Sequence, residues 1–145
     1  MGYNLIIMKT KEISVFFDDS KYKLSELTGV LTKKGADIRA ISYTSTTDIS
    51  IVRLIANKCD EAFKSLLDAG FIARISEVAA VEVTDSTGGL AGIIELLENN
   101  RIVVDHFYTA RTCKNGKVLV IFKLGNLQEG LKILCENGFS LAEYL

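Results

Sequence analysis

The residues best suited to chemistry in this chain lie in one short loop, residues 83–90. The loop holds an acid, Asp85, the hydroxyl side chains of Ser86 and Thr87, and the pair Gly88-Gly89, at a point where a helix is predicted to begin. Free N–H groups and the positive end of a helix suit a carboxylate, glycine lets a ligand approach the backbone, and an acid suits an ammonium group. The loop can therefore bind a small zwitterion. The same residues also suit an ordinary Asp or Ser N-cap with a tight turn, and both interpretations stay open.

Elsewhere the reactive residue types form no recognisable catalytic or metal-binding pattern. His106 is the single histidine and has no second histidine or cysteine at metal-ligand spacing. Cys59, Cys113 and Cys135 include no C-x-x-C pair, and no histidine is spaced to activate Cys113. We therefore predict no metal, no cofactor and no catalytic residue, and the free thiols suit a reducing compartment.

The chain repeats itself, and the loop is part of the repeat. Matching residues recur at spacings of 65 to 68, as in Asp19 and Asp85, Ser20 and Ser86, Leu24 and Leu90, Leu31 and Leu97, Tyr43 and Tyr108, Gly70 and Gly138, and Phe71 and Phe139. Two copies of one small unit therefore make up the protein. We assign residues 1–75 to the first unit and residues 76–145 to the second. The first ten residues are interpreted as an extra N-terminal strand segment, because Leu5-Ile6 falls on Phe71-Ile72 when shifted by 66.

Each copy is predicted to have the order strand, helix, strand, strand, helix, strand. Ile13 and Val15 alternate with other side chains as in a strand, whereas Leu24, Leu27 and Leu31 fall at helical spacing. Right-handed crossovers place both helices on one face of an antiparallel sheet, so we predict an α+β protein of two ferredoxin-like βαββαβ units. The segment 71–83 has no linker-like composition. The last strand of the first copy is therefore expected to run directly into the next copy.

The two copies differ where the chemistry is expected. Tyr22 and Lys23 stand where the second copy has Gly88 and Gly89, and a tyrosine side chain fills space that backbone contacts to a ligand need. We therefore predict a ligand loop in the second copy and a degenerate loop in the first. The alternative is that Lys21 and Lys23 recruit a more acidic ligand to the first copy.

The charge balance bears on the possible partners. The formal net charge is -1, with 17 basic and 18 acidic residues, and offers no electrostatic footprint for nucleic acid or an anionic membrane. No apolar run approaches the roughly 20 residues that span a bilayer, and the apolar run near the N-terminus is too short for a secretory signal. We therefore expect a cytoplasmic protein that binds neither nucleic acid nor membranes.

Taken together, these residues carry a resemblance to one family. The repeated strand and helix order, the Asp-x-x-Gly-x-Leu pattern of Asp85, Gly88 and Leu90, and a Gly-Ala-Asp-Ile segment ending in Asp37-Ile38 resemble tandem ACT domains. The resemblance covers the chain after about residue 10. It implies a regulatory, allosteric module that binds small ligands, usually amino acids, and associates through its sheets.

The resemblance also implies a set of ligand-binding residues. From the loop these are Asp85, Thr87, Gly88, Gly89 and Leu90; from the start of the next strand they are Asn100, Ile102 and Val103; and Asp37 and Ile38 of the other copy complete the pocket. Thr87 departs from the family pattern, which often has proline before the glycine, so the loop loses some rigidity.

Three functions are weighed on this basis. The first is a non-catalytic sensor that binds an amino acid or a related small carboxylate, forms a homodimer, and regulates a separate enzyme or transporter. The second is a structural or interaction protein that uses sheet-edge pairing and has lost its ligand sites. The third is an enzyme or nucleic-acid binder on the same superfold, for which the expected arginine or aromatic residues are missing. We favour the first.

Overall fold

A computed structural model describes residues 9–18, 23–114 and 116–142. The elements follow the order β1 (Lys9–Asp18), α1 (Lys23–Lys33), β2 (Ile38–Ser45), β3 (Ile49–Ala56), α2 (Cys59–Asp68), β4 (Ile72–Thr84), α3 (Gly89–Asn99), β5 (Val104–Lys114), β6 (Lys117–Leu124), α4 (Leu127–Glu136) and β7 (Leu141–Ala142). The predicted order of strands and helices is confirmed over these residues. No helix in this part of the chain is long and apolar enough to cross a membrane.

One compact unit spans residues 11–76. Strand β3 pairs antiparallel with both β1 and β2. Its core joins same-face residues of β1 and β3 to both helices and includes Ile13, Val15, Leu27, Leu31, Val52, Leu54, Ala62 and Leu66. The period-2 alternation of β1 and the helical spacing of α1 thus meet in one apolar layer, because each places its apolar side chains on a single side.

The other compact unit contains residues 77–142 together with Lys9 and Thr10. Strand β4 pairs antiparallel with β6 and β7, and β6 pairs antiparallel with β5. The core again takes one sheet face and two helices, including Val81, Val83, Ile93, Leu97, Phe122, Leu124, Leu131 and Leu134. The α+β class and the antiparallel pairing predicted from the sequence are confirmed.

The first described residues, Lys9 and Thr10, belong to this second unit, whereas residues 1–75 were expected from the sequence to form the first. The Thr10 hydroxyl donates to the carbonyl oxygen of Ala142 at 3.4 Å, and the Lys9 ammonium lies 4.0 Å from a carboxylate oxygen of Glu77. Leu5 and Ile6, on which the extra strand segment was based, lie outside the described residues. Strand β4 runs unbroken over 13 residues, which confirms the expected direct passage from one copy to the next.

The four helices of the described residues all end in the same backbone motif. In each, the second residue past the C-cap donates its N–H to a carbonyl five residues back, as Ala36 does to Leu31 at 3.1 Å and Ile102 does to Leu97 at 2.9 Å. This Schellman motif needs a left-handed residue, which glycine adopts without strain. Glycine fills that place in three helices, namely Gly35, Gly70 and Gly138, but α3 has Arg101 there with φ 60°.

Asn100 is the C-cap of α3 with φ -97°, and the left-handed position of the motif falls on the next residue, Arg101.

Candidate functional site

The loop between β4 and α3 is shaped by its two glycines. Gly88 precedes the helix with φ 90°, a conformation that side chains rarely adopt. A Cβ on Gly89 would lie 2.1 Å from the carbonyl oxygen of Thr84, far inside van der Waals contact. The first glycine therefore supplies the turn and the second lets the backbone fold closely onto the end of β4.

Backbone hydrogen bonds fix this loop. The N–H of Asp85 donates to Gly116 at 2.8 Å, and the N–H of Gly89 donates to Ser86 at 3.0 Å. The N–H of Ser86 donates to Thr84 at 2.9 Å. The loop is thus held to the turn before β6 and to the end of its own strand.

The start of α3 carries no side-chain cap. Gly88 is the N-cap residue and makes no side-chain hydrogen bond, so the Asp or Ser N-cap that the sequence analysis kept open is wrong, while the tight turn is confirmed. Within the described residues, the N–H groups of Leu90 and Ala91 have no assigned hydrogen-bond acceptor. The first turn of α3 also has no acidic residue. Two backbone donors and the positive end of the helix are therefore free to face an anion.

The predicted loop residues are accessible around these donors. Asp85, Thr87 and Gly88 are exposed, Gly89 is half-buried, and Leu90 is 37% exposed. A carboxylate and two free N–H groups therefore lie within one loop of a few residues, the combination that a zwitterion needs.

The predicted residues at the start of β5 have different roles. The side-chain amide of Asn100 donates to the carbonyl of Leu96 at 2.8 Å and so closes α3. Ile102 is 5% exposed and belongs to the core. Val103 is 63% exposed, and its carbonyl accepts from the N–H of Gly125 at 2.8 Å. Asn100 and Val103 are thus exposed, whereas Ile102 is buried.

An open groove of about 770 Å³ runs along this end of the unit. It is lined by Ile94, Glu98, Arg101, Ile102, Val103, Val104, Asp105, His106 and Phe107. The groove combines apolar side chains with one arginine and two acids. Arg101 and Phe107 were not predicted from the sequence, although the spacing of 66 between Gly35 and Arg101 marks the latter.

The loop and the groove lie at opposite ends of α3. An eleven-residue helix is about 16 Å long. One unit therefore does not bring Asp85 and Gly88 together with Val103 around a single small ligand.

The remaining predicted site residues lie in the unit 11–76. The N–H of Asp37 donates to the side-chain oxygen of Asn57, and a carboxylate oxygen of Asp37 lies 3.1 Å from Nε of Arg39. Ile38 begins β2 and packs against the core of that unit. These contacts hold the start of β2 in place.

The first-copy loop, residues 19–22, lies outside the described residues. The next residue, Lys23, begins α1, and its ammonium nitrogen lies 3.5 Å from a carboxylate oxygen of Glu26. This partner offsets the unfavourable position of a lysine at a helix start.

His106 packs beside an aromatic ring, and Cys59 and Cys135 are partly buried. His106 stacks on Tyr108 with 6.1 Å between ring centroids. Burial, followed by the charge of Asp60, raises the pKa of Cys59, and burial raises the pKa of Cys135. A raised pKa keeps a thiol protonated and unreactive. Among the described residues, no group of three acids, histidines or cysteines could hold a metal ion.

Comparison with known proteins gives consistent results. A structure of protein BT0572 from Bacteroides thetaiotaomicron is 25% identical, with a TM-score of 0.86 over 93% of this chain and 92% of that one. The regulatory subunit of aspartate kinase from Thermus thermophilus is 13% identical, with a TM-score of 0.63 over 88% and 92% of the two chains. Its counterpart from Thermus flavus is 11% identical, with a TM-score of 0.58 over 87% and 90%.

No curated protein matches the sequence. The family described as ACT domain pair matches residues 8–143, which is nearly the whole chain. ACT domains are regulatory, ligand-binding modules. A pair of such domains accounts for the two similar units, and the chain belongs to the ACT domain pair family.

Proposed function

We propose that this protein is a non-catalytic regulatory protein that binds an amino acid through the loop before α3. The observation that carries the proposal is the start of that helix, where the N–H groups of Leu90 and Ala91 have no assigned acceptor among the described residues. They take the ligand carboxylate, and Asp85 takes the ammonium group. Gly88 and Gly89 keep the approach to the backbone open.

A second copy of the chain completes the site in this proposal. The loop and the start of β5 are separated by about the length of α3, roughly 16 Å, which exceeds the reach of one small amino acid. A homodimer that places the start of β5 from one copy on the loop of the other supplies both halves. Val103 is the exposed residue at that start. Asp37 and Ile38, the corresponding residues of the unit 11–76, are the other proposed contributors.

Regulation then follows from the shared site. A ligand held between two modules binds one arrangement of them best, so it must shift the population toward that arrangement. A structurally similar protein is described as the regulatory subunit of aspartate kinase, and this chain covers 92% of it. By analogy, two ferredoxin-like modules act here on a separate polypeptide, an enzyme or a transporter, in the cytoplasm.

A thermal-shift screen of the twenty amino acids tests the proposal. A ligand present at 100 times its dissociation constant adds about 2.7 kcal/mol to the free energy of unfolding, which raises Tm by several degrees. Gly88→Tyr blocks the approach to the loop and should abolish the shift. Gly92→Ala, four residues further along the exposed side of α3, serves as the matched control and should keep it. Failure of every amino acid to raise Tm would favour the interaction protein without a ligand site.

A further inference from the structure

We propose that the groove at the far end of α3 selects an amino acid with an apolar side chain, and that Arg101 is an additional residue binding its carboxylate. This inference rests on the proposed function and names the ligand class. In the dimer, the loop of one copy and Arg101 of the other share the carboxylate. The apolar side chain of the ligand lies in the groove against Val103 and Phe107.

The backbone of Arg101 is the observation that calls for an explanation. Four helices end in the same motif, and three of them place glycine at its left-handed position. Arg101 occupies the fourth with φ 60°, although an arginine in this conformation is less stable than glycine. Residues with a strained backbone are concentrated at functional sites, where the role of the side chain offsets the loss of stability.

The surroundings of Arg101 leave its charge available. It is exposed and lines the groove, and no salt bridge joins it to another described residue. Glu98 and Asp105 line the same groove. A guanidinium group without a carboxylate partner suits a carboxylate ligand, to which it can donate two hydrogen bonds.

The other unit places a cation at the corresponding turn by a different route. Gly35 is the counterpart of Arg101, and a Cβ on Gly35 would lie 3.7 Å from the ammonium nitrogen of Lys58. Lys58 itself is left-handed, with φ 51°. A cation stabilises the C-terminal end of a helix, but α1 already has Lys33 in its last turn. Lys58 therefore adds to a charge that the end of α1 already carries, whereas α3 has no basic residue in its last turn, so the charge of Arg101 also suits the end of that helix.

The exposed apolar surface of the groove favours an apolar side chain. Its acids, Glu98 and Asp105, repel an acidic side chain, and lysine as a comparison ligand tests whether they attract a basic one. Val103 is 63% exposed and Phe107 is 44% exposed, so apolar surface remains to be covered. Covering that surface with an apolar side chain stabilises the complex.

Isothermal titration with leucine, isoleucine, valine, methionine and phenylalanine tests this inference, with aspartate, lysine and glutamine as comparison ligands. We expect the wild-type protein to bind at least one apolar amino acid more tightly than any of the three comparison ligands. Arg101→Gly should weaken that binding about tenfold or more, since a charge-assisted hydrogen bond is lost. The same variant should raise Tm by roughly 1–4 °C, because glycine relieves the left-handed backbone.

Three controls separate the outcomes. Arg101→Lys keeps the charge and should bind more tightly than Arg101→Gly, whereas Phe107→Ala should weaken the binding of apolar amino acids. Tightest binding of aspartate, lysine or glutamine, or unchanged affinity in Arg101→Gly, would overturn the inference. In that case, loss of amino-acid binding in Gly88→Tyr would still support the proposed function. Absence of binding by the wild-type protein to any amino acid would overturn both.

Discussion

The close packing of Gly89 against Thr84 predicts that Gly89→Ala destabilises the protein. The added methyl would lie 2.1 Å from a backbone oxygen, so the loop or the helix start must move. Overpacking of this kind costs about 1–3 kcal/mol. Alanine gains up to about 1 kcal/mol in a helix interior but less at the first helical position, where Gly89 lies. The net loss in unfolding free energy is therefore expected to be roughly 1–2 kcal/mol.

Gly92→Ala is the matched control for this change. Gly92 lies in the same helix, three residues further on, and a Cβ there would meet nothing within 4 Å. Only the higher helix propensity of alanine then changes stability, so Gly92→Ala should raise the free energy of unfolding by about 0.5–1 kcal/mol. Urea unfolding followed by circular dichroism measures both, with an m-value of about 1–3 kcal/mol/M converting midpoints into free energies. A Gly89→Ala variant as stable as wild type would refute the proposed role of this glycine.

Two further predictions concern packing and thiol chemistry. Leu66→Ala should lower the free energy of unfolding by about 2–5 kcal/mol because the Leu66 side chain is fully buried. Leu67 is 44% exposed, so Leu67→Ala should lower it by under about 1 kcal/mol. Equal losses for the two variants in urea unfolding would contradict the assignment of Leu66 to the buried face of the helix. In a Cys113→Ser and Cys135→Ser background, Cys59 should alkylate more slowly than free cysteine, and its rate should still rise above pH 9, since burial raises its pKa. As the pH rises, the Cys59 thiol loses its proton first in the unfolded chain, so its contribution to the free energy of unfolding should fall as pH rises through 9. An alkylation rate that stops rising below pH 9 would contradict the raised pKa.

Much of the fold could be predicted because its signals are local. The alternation at Ile13 and Val15 and the helical spacing of Leu27 and Leu31 each place apolar residues on one side, and both sets lie in one core. Glycines that end helices are also recognisable by residue type. Arg101 is not, because arginine carries no preference for a left-handed backbone, and only its spacing from a glycine in the other copy marks it.

The site was predictable in its chemistry and not in its geometry. The acid and glycines before α3 indicated a loop open to a zwitterion, but no sequence pattern shows that Gly89 packs on the Thr84 carbonyl or that Gly88 replaces a side-chain cap. Asn100 and Ile102 match the family pattern, yet one closes a helix and the other fills the core. Tertiary contacts decide such roles, and they depend on residues far apart in sequence.

Direct titration of the wild-type protein and of Gly88→Tyr with the twenty amino acids tests the central claim, that the loop before α3 binds an amino acid. The account predicts saturable binding of at least one amino acid by wild type and its loss in Gly88→Tyr, with both proteins folded by circular dichroism. Binding that survives Gly88→Tyr, or no binding by the wild-type protein, would contradict it.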